Sequence, residues 1–230
     1  VSQAAVLPLA TAVVILGAGG HAKVLLSLLQ AIGADVHGVC DPGLVAQSVT
    51  TWRGIAVLGG DEALESLDPA SIGLVNGMGQ VVGSSRRQAL FEALSGKGFG
   101  FPALVHPAAW VDPSVVLEPG VQVMAGAVIQ PDSTIGANTI VNTGARIDHD
   151  CIIGEHVHVA PGAVLCGGVK VARGAFIGAG STTIQGVSIG ESCIVGAGAV
   201  LVRNLQAGHL VVGSPVRINE SKFTVQPKTS

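Results

Sequence analysis

The residues of this chain best suited to acid–base chemistry lie in one stretch, NTGARIDHDCIIGEHVHVAPGAVLCGG, residues 142 to 168. A neutral imidazole near pH 7 can take a proton from an amine or a hydroxyl, and a neighbouring carboxylate fixes its tautomer and strengthens it as a base. His149 has such neighbours on both sides, Asp148 and Asp150, and the spacing leaves open which of them orients the ring. His158 follows nine residues later, and Asn142, earlier in the stretch, offers an amide to a ligand. His156 and His158 have no third ligand at a convincing metal-site spacing, so no metal is expected. No GxSxG nucleophile motif occurs either. Direct transfer aided by a base is the simplest chemistry for this set.

A second cluster lies near the front, where Gly17-Ala18-Gly19-Gly20-His21 follows an apolar run, Ala12 to Leu16. Three glycines allow a sharp turn and let a ligand approach the amino end of the next helix, where free N–H groups favour phosphate oxygens. Position 22 is Ala22, so the full GxGxxG pattern is absent. The sheet is also short for a complete NAD-binding unit, which favours a mononucleotide-type ligand. Asp41, ending the next expected strand, can accept a hydrogen bond from a base or ribose. Gly77-Met78-Gly79 forms a second candidate loop at the same sheet edge.

Two scaffolds must hold these groups. From Val111 to Leu201 an aliphatic residue recurs at every sixth position, with Thr183 the one exception. Turn-forming residues such as Gly120, Gly126, Asp132, Asn138, Gly144, Asp150 and Gly162 follow three places later in most units. This is the pattern of a hexapeptide β-helix, in which three units close one triangular coil of about eighteen residues. A six-residue period does not fit an α-helix. His149 then falls one place before a corner and points outward. His158, half a coil on, projects from another side, so a single monomer need not bring the two together. Three prisms around a threefold axis would leave clefts lined by two subunits, in which histidines from opposite walls can face each other. His156, at a corner, reads as solvated.

The front part lacks the six-residue beat. It reads as strands at Ala12 to Leu16, 36–41 and Ile72 to Asn76, with helices at His21 to Ala31, Asp61 to Leu67 and Ser84 to Leu94. That order predicts a small Rossmann-like parallel sheet with helical crossovers. The expected fold class is therefore an α/β N-terminal domain (1–105), a left-handed parallel β-helix (106–218) and a short tail (219–230).

Composition agrees with a solenoid: 230 residues, 48% hydrophobic yet 3% aromatic, with 33 glycines and no tyrosine. A net charge of -3 gives no basic footprint for nucleic acid. The apolar start, Ala4 to Ala12, lacks a basic n-region and runs straight into a strand, so it is not expected to be a signal peptide. No apolar segment is long enough to span a bilayer, and no membrane partner is expected. Four cysteines without metal-site spacing read as free thiols in a reducing cytoplasm.

With these motifs together, the chain resembles the NeuD-like family of hexapeptide-repeat sugar acetyltransferases. It is especially similar to bacterial N-acetyltransferases of nucleotide-linked 4-amino-4,6-dideoxy sugars. The resemblance runs from VVILGAGGHAKVL to VVGSPVRI, residues 211 to 218. It implies that the front domain binds the sugar nucleotide, that the β-helix forms a homotrimer, and that acetyl-CoA, the cosubstrate, lies between subunits. By the same resemblance His149 is the general base and Asp150 its supporting acid. His158, with Gly167 and Gly168, belongs to the acetyl-CoA side, where a backbone N–H around Cys166 to Gly168 would meet the oxyanion. Gly17, Gly19, Gly20, His21, Asp41 and Asn142 belong to the substrate side, to which the second glycine loop adds Gly77 as a candidate. The implied enzyme is cytoplasmic and acts in surface-polysaccharide or glycan precursor synthesis, on a UDP- or GDP-linked aminosugar. The alternatives are O-acetylation of a sialic acid, acetylation of serine or another small molecule, and a non-catalytic scaffold that binds nucleotide sugar.

Overall fold

The computed structural model describes residues 12–214 and the strand Arg217–Asn219. The apolar start, Pro215 and Val216 of the VVGSPVRI motif, and the tail after Asn219 lie outside the described residues.

The front unit is built on β1 (Ala12–Leu16), with β2 (Val36–Cys40) and β5 (Ile72–Asn76) parallel on either side. A central strand covered on both faces should be uniformly apolar, and Val13-Val14-Ile15-Leu16 is fully buried. Alternation assigns each side chain to a face. Val13 and Ile15 pack with Leu25, Leu26, Leu28 and Leu29 of α1 (Gly20–Ala31). Val14 and Leu16 pack on the other side with Phe91 and Leu94 of the last helix of the front unit.

Four features differ from the sequence expectation. The sheet is mixed rather than wholly parallel: β3 (Thr51–Trp52) and β4 (Ile55–Gly59) form an antiparallel hairpin, and β4 extends the sheet beside β2. Its two-residue turn, Arg53-Gly54, holds both residues at positive φ (50° and 83°), as tight hairpins require. Arginine is an unusual first residue for that conformation, which hid the turn. Between β2 and β3 lies a short helix, α2 (Pro42–Ala46), that the sequence reading did not assign, and Asp61–Ser66 is a 3-10 helix rather than an α-helix. The last helix, α3 (Arg86–Gly96), begins two residues later than expected.

From Leu104 the chain winds into a left-handed parallel β-helix of mostly two-residue strands, stacked in three sheets that form the faces of a prism and are parallel except where the last strand, Arg217–Asn219, pairs antiparallel with Leu210–Val212. The inward residues Val123, Ile129, Ile135, Val141, Ile147 and Ile153 are inaccessible to solvent, as the six-residue beat requires. The exception to that beat, Thr183, is equally buried, and its hydroxyl has no partner among the described residues. The corners hold residues in the left-handed region, including Asn138, Asp150 and His156 among many glycines.

Two surfaces join the units. On one prism face the outward residues Leu104, Gln122, Ile140, His158 and Phe176 lie in register, one per coil. Leu104 and Ile140, together with Met124, enter the same apolar cluster as the leucines of α1. α3 covers the corner before that face, where the Phe91 ring meets His156 edge-on at 5.7 Å and lies over Gly120. His156 is therefore not solvated: it is 4% exposed and paired with Asn138 Nδ2 at 3.0 Å through Nδ1. Arg173 of the same corner pairs with Glu155 and with Glu92 of α3.

Candidate active site

The periodicity puts His149 and Asp150 at the corner that follows the strand Arg146–Ile147. Asp150 takes φ 59°, and this kink turns its carboxylate back toward its neighbour: Asp150 Oδ2 lies 2.7 Å from His149 Nδ1. Asp148 does a different job, accepting the His149 backbone N–H at 2.9 Å. Geometry thus assigns the orienting carboxylate to Asp150, and the hydrogen bond it accepts from Nδ1–H holds the imidazole pKa above its ordinary value. Nε2 is left free to act as the base, and the side chain is 60% exposed. One coil above, Gly167 provides the seat, since a Cβ there would stand 2.7 Å from the imidazole ring. Of the three backbone N–H groups in this loop, Cys166 donates to Thr183 O and Gly168 to His149 O. Among the described residues, that of Gly167 has no acceptor.

The glycine loop lies where β1 meets α1. Gly17 needs its φ of +86°, and a Cβ at Gly19 or Gly20 would meet nothing within 4 Å, so the turn has open space beside it. Gly77 is required for another reason: a Cβ there would lie 2.6 Å from Leu16 O. Asp41 is committed on both oxygens, accepting Ala18 N–H at 2.8 Å and Leu44 N–H at 2.9 Å. It shapes the glycine loop and caps α2 at once, a dual role that its place at a strand end did not reveal.

His21 stands at the start of α1 and reaches the β-helix, with Nε2 2.8 Å from Gln122 Oε1. His158 projects from the same face two coils above Gln122 and meets Asn142 Nδ2 at 3.2 Å through Nε2. Asn142 Oδ1 is occupied by the Thr143 N–H, so the amide N–H must face the ring and His158 Nε2 accepts. The proton then sits on His158 Nδ1, which is buried without a partner among the described residues. Burial lowers both histidine pKa values to about 4, with the buried Arg87 guanidinium adding to the effect. Both rings are neutral at physiological pH.

The structure therefore gathers His21, Asn142 and His158 beside the glycine loops, and it gathers His149, Asp150, Gly167 and Gly168 at a corner. It does not bring the two groups together within one chain, because the prism face carrying Arg146–Ile147 separates them. Three residues that sequence reasoning missed hold the seam: Asn76, Arg87 and Gln122, each 1–2% exposed. Arg87 Nη1 donates to Asn76 O at 2.8 Å and Met78 O at 2.6 Å, clamping the Gly77 loop.

Comparison with known proteins places this architecture. Residues 12–94 match the PglD N-terminal domain, and residues 114–149, 132–167 and 150–185 match the bacterial transferase hexapeptide (six repeats) family. PerB from Caulobacter crescentus, solved with CoA and GDP-perosamine, is 42% identical, with 90% of this chain and 97% of that chain covered and a TM-score of 0.82. The acetyltransferase domain of PglB from Neisseria gonorrhoeae, solved with acetyl coenzyme A, is 34% identical over 90% and 98% of the two chains, with a TM-score of 0.83. WeeI from Acinetobacter baumannii is 27% identical over 91% and 100%, at 0.80. No curated protein sequence matches. A similarity to PerB that spans both units and nearly the whole of each chain shows that this chain belongs to the NeuD-like family of hexapeptide-repeat sugar acetyltransferases.

Proposed function

We propose that this enzyme transfers the acetyl group of acetyl-CoA to the C4 amine of a nucleotide-linked 4-amino-4,6-dideoxy sugar, with His149 as general base. The observation that carries the base assignment is the His149 Nδ1 to Asp150 contact of 2.7 Å, which leaves Nε2 unprotonated and outward. The sugar nucleotide sits on the Gly17–Gly20 turn, with Gly77 and Asp41 shaping the pocket and His21 and Asn142 at its rim. As the neutral amine adds to the thioester carbon, His149 Nε2 takes the proton it sheds. The Gly167 N–H donates to the developing oxyanion. The carbon–sulfur bond then breaks, and coenzyme A leaves as a thiolate that gains a proton.

The buried, unpartnered Nδ1–H of His158 fits a carbonyl of the cosubstrate. Because one chain keeps His149 and His158 on different parts of the prism, the complete site is formed between adjacent copies of a homotrimer. The PerB complex with GDP-perosamine favours a GDP-linked sugar over a UDP-linked one. Acetyl-CoA and nucleotide sugars are cytoplasmic metabolites, which places the reaction there, in the supply of glycan precursors. Among the described residues no helix is long and apolar enough to cross a membrane.

The test is thiol release from acetyl-CoA with GDP- and UDP-linked 4-amino-4,6-dideoxy sugars, sialic acid and CMP-sialic acid. Release with one aminosugar, accompanied by one added acetyl mass on it, is the expected result. Turnover on a sialic acid instead would replace N- by O-acetylation, and acetyl-CoA that fails to bind at all would point to a scaffold.

A further inference from the structure

The seam contains a hydrogen-bond chain whose direction is fixed at one end. Asn76 O is a backbone carbonyl and can only accept. It takes Arg87 Nη1–H at 2.8 Å and Gln122 Nε2–H at 3.0 Å. Gln122 is 1% exposed, so its amide has no solvent alternative. With Nε2 committed to Asn76, Gln122 must present Oε1 to His21, and His21 Nε2 must carry the proton at that 2.8 Å contact. The other ring nitrogen, Nδ1, is then bare, with a lone pair and no hydrogen-bond partner among the described residues, at the helix start beside the Gly17–Gly20 turn.

We propose that Gln122 is a positioning residue: it locks His21 in the Nε2–H tautomer, so that Nδ1 is a fixed acceptor for a hydroxyl or amine hydrogen of the sugar nucleotide. This inference rests on the proposed placement of the sugar nucleotide on the glycine loop and specifies what that ligand must offer there, which is a donor. Asn142 works in the opposite sense on His158, leaving a donor at Nδ1. Two neutral imidazoles on one face thus present one acceptor and one donor. The same amide also ties Asn76, the residue before Gly77, to the β-helix, so one side chain sets both ligand loops against the prism.

The charged group that acts on His21 is Arg87, which disfavours a second proton on the ring, and His21 in turn disfavours one on His158. The free ring therefore stays neutral through the working pH range, and its acceptor persists.

The test uses the full-length protein with nitrogen-15 labelled histidine. In the free wild type, NMR should show His21 Nε2 protonated and Nδ1 bare, and adding the GDP-linked aminosugar should shift Nδ1 in the direction of accepting a hydrogen bond. Gln122→Met keeps the length and removes both polar atoms. It should give a tautomer mixture and raise the sugar-nucleotide Kd about tenfold, the effect of one well-formed hydrogen bond. Gln122→Glu keeps an acceptor toward His21 but sets a second acceptor oxygen against Asn76 O, so it should retain the tautomer while losing the Asn76 tie, with binding that weakens further as pH falls and the ring protonates. A general packing defect would not distinguish these two variants. A protonated Nδ1 in the wild type overturns the proposal without recourse to any variant, as does a Gln122→Met protein with wild-type tautomer and Kd. Correct tautomer and binding without acetyl transfer would instead sink the catalytic reading and leave this one standing.

Discussion

The corner that carries His149 and the seam that carries His21 and His158 give the same side chain opposite surroundings. At the corner the imidazole is exposed, carboxylate-paired and held above its ordinary pKa. At the seam His158 is buried and His21 partly so, both rings are paired with amides, and both pKa values are lowered to about 4. A base must exchange protons near neutral pH, whereas a recognition group must keep one hydrogen-bonding pattern. Partner chemistry decides between them: a carboxylate stabilises the imidazolium, and a buried amide fixes a neutral tautomer.

The comparison can be broken most sharply at the base. His149→Ala is expected to lower kcat about 10²–10⁴-fold, the range for a lost general base, with sugar-nucleotide affinity and assembly state unchanged. Comparable turnover in a mass-verified acetylation assay would remove the corner from the mechanism. Gly167→Ala comes next. Its methyl would stand 2.7 Å from the imidazole, so the ring must move, and a displacement of about 1 Å can cost roughly 10²-fold in rate. Steady-state kinetics should show that loss in kcat with little change in melting temperature; full activity would mean that the ring has another productive position.

Asp41→Ala probes the other region. It releases Ala18 N–H and uncaps α2, so the sugar-nucleotide Kd should rise about tenfold and stability fall by about 1 kcal/mol. Calorimetric titration and denaturant unfolding check both parts, and an unchanged Kd would exclude Asp41 from shaping the pocket. Asp150→Asn tolerates the same left-handed backbone but removes the charge, so His149 should lose its raised pKa. The acid limb of kcat/KM against pH should then move to lower pH, with a lower plateau.

The smallest effect concerns stability. For His21 and His158 the folded pKa lies below the unfolded value of 6.5, so between pH 6.5 and about 4 the unfolded chain binds protons that the native one does not. Their contribution is present above that window and is lost as pH falls through it. His149 has the opposite sign, its contribution being present at low pH and lost as pH rises through its elevated pKa. The melting temperature should drop by several degrees from pH 7 to pH 5. A flat profile would contradict the burial of the seam histidines.

Much of this was legible in the sequence, but unevenly. The six-residue beat identifies the inward residues and corners, because a solenoid repeats one local rule at each coil. It also puts His149 beside a corner and shows that His158 lies elsewhere. What the period does not contain is which face the front unit covers. Gln122, Ile140 and His158 share one column by simple counting, yet nothing in that count says that α1 packs over it. His156 was misread for the same reason, since α3 buries its corner. The turn at Arg53-Gly54 was missed because a residue with little intrinsic preference for positive φ occupies its first position.

The central claim is that neighbouring copies each supply half of a site, and subunit complementation tests it most directly. His149→Ala and His158→Ala chains, each inactive alone, would be co-expressed with different tags and mixed assemblies isolated by both. Every mixed trimer, whether two-to-one or one-to-two, keeps both histidines intact at one of its three intersubunit sites, so acetyl transfer should return to about a third of wild type. Mixed assemblies as inactive as either parent would mean that each site is built within one chain, and the two-region account would fail.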